Sequence, residues 1–315
     1  MFRDIYDKYM STRRTGYPSD RDDIRQLSKD FDGVVITSDI DKTYLKTRFG
    51  SLRSMVKTAL ETAEEKQSFQ GMVPLYKGLR FGTGSSDQHL PLYFLSASPP
   101  NMRNVLEERM KLDGITPDGI TLKKWFRLIR HGRWDQLKKH VVYKLNALLV
   151  NRSVRPLSAK IQEILIGDDS ETDADAYLLY ASILEGTMDM DELKGALYAL
   201  NANDREREQI LQLATRQDAS KVSRIYIHCT TKKDPTKLPE ASPQLMLGAL
   251  DSLQIAIDAH KHGWMKEQDV LQVAAEFRPE HQKQSVEDLL TRGFVTDEEA
   301  EQWMHSLEEF ENPVG

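Results

Sequence analysis

Three short apolar runs, each followed by polar or acidic residues, constrain the fold of this chain more than any other feature. They are GVVITS at 33–38, LYFLS at 92–96 and the segment 161–166, which leads into the acidic sequence GDD. The first run is apolar on both faces, which is typical of a buried parallel strand and not of a strand with one wet face. The sequence therefore predicts strands buried inside a layered fold.

Helical patterns separate these strands along the chain. Apolar residues recur at helical spacing over 51–68, 72–80, 134–150 and 173–184, and a late strand is predicted over 222–229. Alternating strands and helices indicate a parallel sheet covered on both faces. We therefore predict the α/β class, with a Rossmann-like three-layer sandwich around a central parallel sheet and with helical additions.

The 315 residues are long for one compact domain and short for three. We predict an N-terminal helical extension at 1–32, a core at 33–230 and a C-terminal helical region at 231–315. A helical hairpin at 186–217 interrupts the core. It has three possible roles, which the sequence leaves open: packing on the core, pairing with a second chain, or covering the strand ends. We favour the first two, and the oligomeric state is not predicted.

Charge and cysteine content limit the possible partners. The net charge is -6 and the chain has a single cysteine, Cys229. A mildly acidic chain has no overall attraction to nucleic acid, so none is expected as a partner. No intrachain disulfide is possible, which fits a reducing compartment, and we expect a cytoplasmic location. The apolar runs are too short to cross a bilayer, so no transmembrane segment is expected.

Polar groups suited to phosphate chemistry follow the predicted strands. Asp39 and Asp41 follow the first, Ser96 ends the second, and Asp168 follows the third, while Lys144 lies on the helix between the last two. Ligands of open α/β sheets bind at the carboxyl ends of the strands. We therefore expect these side chains to meet at one edge of the sheet.

Phosphoryl transfer requires groups of these kinds. A carboxylate such as Asp39 is able to attack phosphorus and hold the phosphoryl group covalently. A second carboxylate two residues on, Asp41, reaches the leaving oxygen, protonates it and then activates water. Magnesium prefers hard oxygen ligands, and a lysine and a hydroxyl neutralise the remaining phosphate oxygens. A phosphorylated substrate is therefore the expected partner.

These motifs resemble those of the haloacid dehalogenase (HAD) superfamily. DIDKT resembles its motif I, LYFLS its motif II, Lys144 its motif III lysine and GDDSETD its motif IV, with separations of 57, 48 and 24 residues. The resemblance implies a HAD fold and a magnesium-dependent phosphatase. It assigns catalysis to Asp39, Asp41 and Lys144, phosphate binding to Thr43, Ser96, Ala97 and Lys144, and Mg²⁺ to Asp39, Asp168 and the Asp41 carbonyl. Asp169, Asp173 and Ser98 are assigned supporting roles.

Within the superfamily, the chain is most similar to the actin-patch-type phosphatidate phosphatase domain. The features are SDIDKT, GMVPLYKGL, LYFLSASPPN, PDGITL and ILIGDDSETDADAY. The family usually reads DIDDT, SNSP and GDSGQxDPE, so Lys42, Ala97 and Asp169 depart from its pattern. The resemblance implies a phosphatidate-like lipid as the substrate. The roughly 50 residues between motif I and motif II include no obvious cap domain, and an open site also fits another large phosphorylated substrate.

Several residues also have simpler interpretations. Ser98 is alternatively a helix N-cap, and Asp169 and Asp173 are alternatively first-turn helix acids. Lys138 and Lys139 are rivals of Lys144 for the motif III position. The alternative function is a non-catalytic interaction protein on a HAD scaffold.

Overall fold

A computed structural model of the chain describes residues 19–23, 27, 31–47, 61–84, 89–124, 140–154, 160–170, 172–217, 220–231 and 234–311. Over these residues strands and helices alternate along the first two thirds, and helices follow. The strands are β1 (Ser19–Asp23), β2 (Val34–Ser38), β3 (Leu92–Ser96), β4 (Gly119–Lys123), β5 (Gln162–Asp168), β6 (Val222–His228) and β7 (Met246–Ala249).

Ten helices are found in the same described ranges. They are α1 (Met72–Phe81), α2 (Arg103–Leu112), α3 (His140–Val154), α4 (Asp173–Glu185), α5 (Met190–Ala199), α6 (Asp204–Ala214), α7 (Ser252–Lys261), α8 (Glu267–Ala274), α9 (Pro279–Thr291) and α10 (Asp297–Glu311). Short 3-10 turns occur at Pro100–Met102 and Pro235–Lys237. None of the helices in these ranges has the length and apolar character needed to span a membrane.

The strands form one sheet in the order β1-β4-β3-β2-β5-β6-β7. All neighbours are parallel except β1, which runs antiparallel to β4 at the edge. Side chains alternate between the two faces, as a strand requires. Ile164 and Ile166 of β5 join one apolar core, and Leu165 between them joins the other. The predicted α/β class and central parallel sheet are confirmed.

Helices cover both faces of the sheet. The first core holds residues of α1 and α2 together with the C-terminal helices α7 to α10. The second core holds residues of α3, α4 and the hairpin formed by α5 and α6. The three-layer arrangement follows because each face of a parallel sheet is apolar and must be covered. The C-terminal helices, together with α1 and α2, therefore form one of the two covering layers.

Some local predictions were wrong. Residues 19–23, inside the predicted helical extension, form strand β1, and residues 61–68, inside a predicted helix, form turns and a β-bridge. The sequence SDRDD of β1 has no apolar pattern because it is an edge strand. The sheet also continues past residue 230 into β7, whose four residues are too short to give a periodic signal. Residues 1–18 and 48–60 lie outside the described residues.

The hairpin is built from two capped helices. Asp189 and Glu192 form a capping box at the start of α5, and Asn203 and Glu206 form one at the start of α6. The apolar side chains of both helices join the core that contains α3 and α4, as Leu197 does. The hairpin therefore packs on the core, as one of the three interpretations predicted.

A buried ion pair joins the C-terminal helices to the sheet. Arg224 of β6 donates to both carboxylate oxygens of Asp258 on α7, at 2.8 and 2.7 Å, and Tyr226 donates to the same carboxylate at 2.8 Å. Arg224 and Asp258 are almost wholly buried. A buried pair of this kind is weak evidence for net stability, but loss of one partner leaves an uncompensated buried charge.

We predict that Asp258→Ala lowers the free energy of unfolding by about 3–5 kcal/mol, because it leaves the Arg224 guanidinium buried without its carboxylate. Urea unfolding followed by circular dichroism measures the change. Glu287→Ala is the control, since it removes an exposed i,i+4 pair with Lys283 and should change stability by less than about 0.5 kcal/mol. Equal effects of the two substitutions would contradict the assigned role of the buried pair.

A second polar contact fixes α9 against the start of α7. Asp251 is the N-cap of α7, and its Oδ2 contacts His281 Nε2 at 2.9 Å and accepts the Ser285 hydroxyl at 2.6 Å. The bond to Asp251 raises the pKa of His281 above its ordinary value of 6.5. Hydrogen bonds from His281 and Ser285, opposing the effect of burial, lower the pKa of Asp251.

The raised pKa of His281 predicts a pH-dependent contribution to stability. This contribution is fully present below the unfolded pKa of about 6.5 and is lost as the pH rises through the higher folded pKa. The difference in unfolding free energy between wild type and His281→Gln should therefore shrink between about pH 5.5 and 8. Chemical unfolding at several pH values measures it. A difference that stays constant or grows over this range would show that the assigned pair does not titrate as described.

Candidate active site

The carboxyl ends of three adjacent strands bring the predicted catalytic groups to one edge of the sheet. β2 lies between β3 and β5, and Asp39 directly follows it. Ser96 ends β3 and Asp168 ends β5. The Asp39 amide donates to the carbonyl of Ile166 on β5 at 2.8 Å, which continues the pairing of the two strands. The strand order therefore places Asp39 between the other two groups.

The loop after β2 turns tightly, which keeps the two acids of the DIDKT motif on the same side of the sheet. Lys42 adopts a left-handed backbone with φ of 63°, a conformation that a non-glycine residue adopts at a cost of about 1–2 kcal/mol. The Leu45 amide closes the turn by donating to the Ile40 carbonyl at 2.9 Å. Such strain is concentrated at functional sites.

Lys144 of α3 lies between two carboxylates. Its Nζ donates to Asp39 Oδ1 at 2.9 Å and also to Asp173 Oδ1. Thr43 Oγ1 donates to the other oxygen of Asp39 at 3.3 Å. All four side chains are buried. Both oxygens of Asp39 are therefore held, which fixes the orientation of its carboxylate.

Three acidic side chains meet at this point. Each of Asp39, Asp168 and Asp173 offers a carboxylate oxygen within 4.8 Å of the other two, and all three are buried. With the lysine included, the group carries two negative charges when all the acids are ionised. Buried charges of like sign are costly unless a cation compensates them. The oxygen donors fit a hard divalent cation such as magnesium. Asp173, predicted as a supporting residue, lies within this group.

Backbone amides hold the motif IV acids, and a tyrosine holds the end of β5. The Ser170 amide donates to Asp168 Oδ1 at 2.6 Å, and the Asp168 amide donates to Asp173 Oδ2 at 3.3 Å. Tyr177 donates to the Ile166 carbonyl at 3.1 Å. Burial raises the pKa of Tyr177, and the charge of Asp173 raises it further. The phenol is therefore neutral and acts as a donor that fixes the end of β5.

Two serines hold the second acid of the DIDKT motif. Ser96 and Ser98 each donate a hydroxyl hydrogen bond of 2.7 Å to Asp41 Oδ2, and all three side chains are buried. The alternative interpretation of Ser98 as a helix N-cap is wrong, because the 3-10 turn after it is preceded by Pro99 and has no side-chain cap. The predicted supporting role of Ser98 thus has a defined contact.

Two other predicted residues, Ala97 and Asp169, directly follow Ser96 and Asp168 in the chain. Ala97 lies between the two serines and is mostly buried, and its contact with phosphate stays a prediction. Asp169 Oδ1 accepts the Thr231 amide at 2.9 Å, which ties the loop after β5 to the loop after β6. Lys138 and Lys139, the rivals of Lys144, lie outside the described residues.

Some supporting residues were missed. Tyr143 donates to the Ser96 carbonyl at 2.9 Å, and the wholly buried Lys123 lies with its Nζ 5.1 Å from the centre of the Tyr143 ring. The position of Tyr143 directly before Lys144 was the only sequence signal for its supporting role. A tyrosine on a helix is more often part of the core, so this signal was not used.

The region that carries these groups also matches a known family. Residues 34–189 match the model of the phosphatidate phosphatase APP1 catalytic domain. The resemblance predicted from the motifs is confirmed over this range, and placement in the HAD superfamily is compatible with it. The match spans 156 of the 315 residues and supports a phosphatase.

The limits of the match coincide with structural boundaries. It begins at the first residue of β2 and ends at Asp189, the N-cap of α5. Asp39, Ser96, Lys144 and Asp168 all lie inside it. The hairpin, β6, β7 and the C-terminal helices lie outside it. Neither the curated proteins nor the solved structures contain a match to this chain.

Gly167 offers a test of how tightly the site is packed. A Cβ atom at this position would lie 2.5 Å from Asp173 Oδ2 and 2.9 Å from the Tyr177 ring. We predict that Gly167→Ala displaces Asp173, lowers the unfolding free energy by about 1–3 kcal/mol through overpacking, and reduces phosphatase activity. Thermal unfolding and phosphate release measure the two effects.

The control for this substitution is Gly195→Ala in α5. A Cβ atom there would have no neighbour within 4 Å, and alanine is favoured over glycine inside a helix by about 0.5–1 kcal/mol. This variant should be slightly more stable and equally active. A Gly167→Ala protein as stable and active as this control would contradict the close packing.

Proposed function

We propose that the chain is a magnesium-dependent phosphomonoester hydrolase that acts through an aspartyl-phosphate on Asp39. The observation that carries the proposal is the convergence of Asp39, Asp41, Lys144 and Asp168 at one buried edge, inside the segment that matches a phosphatidate phosphatase domain. The matched family supports a phosphatase, and the geometry supports the division of roles.

In the first step a carboxylate oxygen of Asp39 attacks phosphorus, and the bond between phosphorus and the leaving oxygen breaks. The proton of the neutral Asp41 carboxyl group moves to that oxygen, so the alcohol leaves uncharged. Lys144 holds Asp39 in its ionised form and in a fixed orientation. The products are the free alcohol and the phosphorylated Asp39.

In the second step Asp41, now ionised, accepts a proton from a water molecule. The oxygen of this water attacks phosphorus, the bond to Asp39 breaks, and inorganic phosphate is released. The carboxylate of Asp39 is restored and Asp41 is again protonated. The two acids therefore need different positions, and the contacts of the structure differ accordingly, with Lys144 on Asp39 and two serines on Asp41.

The proposed magnesium ion would be held by Asp39, Asp168 and the main-chain carbonyl of Asp41, with Asp173 beside them. The fit rests on the three buried carboxylates, whose charge exceeds that of Lys144. When bound, the ion supplies positive charge that offsets the negative charge of the phosphoryl group.

A phosphatidate-like lipid is the substrate that we favour. The matched family supports a lipid phosphate. Among the described residues between β2 and β3, helix α1 packs in the same core as α7 and α8, and none of these residues forms a separate cap domain. A site without a cap domain accepts substrates with a large leaving group, whereas small phosphates are usually enclosed by a lid.

The experiment that tests the proposal measures phosphate release from dispersed phosphatidate, a phosphopeptide, a sugar phosphate and an aryl phosphate, with magnesium and with a chelator. We expect release that requires magnesium, with phosphatidate as the best substrate. Asp39→Asn should abolish turnover, because an amide does not act as the nucleophile. Asp41→Asn should slow turnover by at least about 100-fold.

Glu287→Ala serves as the control, because it removes a carboxylate from the surface of α9. It should leave turnover unchanged. Near-normal turnover of Asp39→Asn would contradict the nucleophile. A folded wild-type protein that releases phosphate from none of the four substrates would favour the non-catalytic alternative.

A further inference from the structure

The contacts of Asp41 point to a role for Ser98. Asp41 Oδ2 accepts two hydroxyl hydrogen bonds of 2.7 Å, one from Ser96 and one from Ser98. All three side chains are at least 97% buried, so bulk water does not compete for these bonds. Two donors on one oxygen have a direct chemical consequence. When the carboxyl group is neutral, its proton resides on the other oxygen, Oδ1.

The two serines are not equivalent once a substrate is bound. A hydroxyl group has a single proton to donate. The motif resemblance assigns Ser96 to phosphate binding, and a Ser96 hydroxyl that donates its hydrogen bond to a phosphoryl oxygen is not able to donate it to Asp41. Ser98 has no such second task, so its hydroxyl remains on Asp41 throughout the reaction.

The backbone holds Ser98 in place for this purpose. Its carbonyl accepts the Lys123 amide at 3.0 Å, and its amide donates to Ser96 Oγ at 2.8 Å. Pro99 follows it and restricts Ser98 to extended conformations. On the other side of the turn, Tyr143 donates to the Ser96 carbonyl at 2.9 Å. The turn from Ser96 to Ser98 is therefore tied to both β4 and α3.

We propose that Ser98 is a positioning residue for the general acid. Its hydroxyl holds Asp41 by Oδ2 and so directs the acidic proton to Oδ1, from which it passes to the leaving oxygen. The inference rests on the proposed function, since it assigns a role within that reaction. Ser98 acts through Asp41 and does not itself exchange a proton with the substrate.

The leaving group distinguishes this role from a merely structural one. An aryl phosphate expels a weakly basic phenolate that needs little protonation, whereas an alkyl phosphate such as phosphatidate depends strongly on the general acid. Ser98→Ala should lower kcat/KM for phosphatidate, which reports the formation of the phosphorylated Asp39, by at least about 10-fold, in line with the loss of a hydrogen bond to a carboxyl group that becomes charged in that step. For an aryl phosphate the fall in kcat/KM should stay under about 3-fold, and the hydrolysis of phosphorylated Asp39, which both substrates share, does not enter this comparison.

A double-mutant cycle with Asp41→Asn adds a second readout. If Ser98 acts only through Asp41, Ser98→Ala should cause no further loss in the Asp41→Asn background. Ser98→Thr, which keeps the hydroxyl, should restore most of the activity toward phosphatidate. Ser153→Ala is the control, since Ser153 donates only to the Val150 carbonyl of α3 among the described contacts, and it should leave both activities unchanged.

The possible results separate the two proposals. A wild-type protein that hydrolyses both esters, together with a Ser98→Ala variant of normal thermal stability that loses equal activity toward both, would overturn the role of Ser98 alone. Additive losses in the double mutant would also overturn it. A folded wild-type protein that hydrolyses neither ester would overturn the proposed function, and the role of Ser98 with it.

Discussion

The arrangement of the active-site edge depends on the ammonium group of Lys144. It lies wholly buried between Asp39 and Asp173, where water does not solvate the charges. Without this cation the neighbouring carboxylates would repel one another. The proposed reaction uses Asp39 as the nucleophile, so this ion pair fixes where the nucleophile lies.

The support for Lys144 extends well beyond the site. Every residue from Val141 to Arg152 of α3 is buried, because α4, α6 and the sheet pack against this helix. A lysine on an exposed helix would sample many rotamers and would be solvated. The layers around α3 thus convert a flexible side chain into a fixed charge, and the hairpin takes part in this although it lies outside the matched family.

The sequence predicted the centre of the sheet and the carboxylates at its edge. Strands β2, β3 and β5 are recognisable because consecutive apolar residues, such as Val35 and Ile36, indicate a strand that is buried on both faces. The motif spacings place Asp39 and Asp168 at strand ends, and strand ends in a parallel sheet converge. Both signals depend on the types of residues within short segments and on their spacing, so one sequence is enough to detect them.

The remaining features depend on contacts between distant segments. The charged strand β1 forms because it pairs with the edge of β4. No pattern in the sequence SDRDD indicates this pairing. Arg224 and Asp258 are 34 residues apart. Each charged residue taken alone is typical of a protein surface. Ser98 preceding a proline looked like the start of a helix, and its contact with Asp41 requires knowledge of how two loops meet. Long-range pairing of this kind leaves no periodic pattern.

The boundary of the matched family at Asp189 has an implication for inheritance. The segment 34–189 contains the residues proposed for catalysis, yet β5 pairs with β6 along its outer edge, and α7 to α10 cover one face of the sheet. A recombination event that moved this segment alone into another gene would transfer the chemistry without its support. Strand β5 would then present an unpaired edge, which promotes aggregation. The catalytic segment and the residues after it therefore form one structural unit.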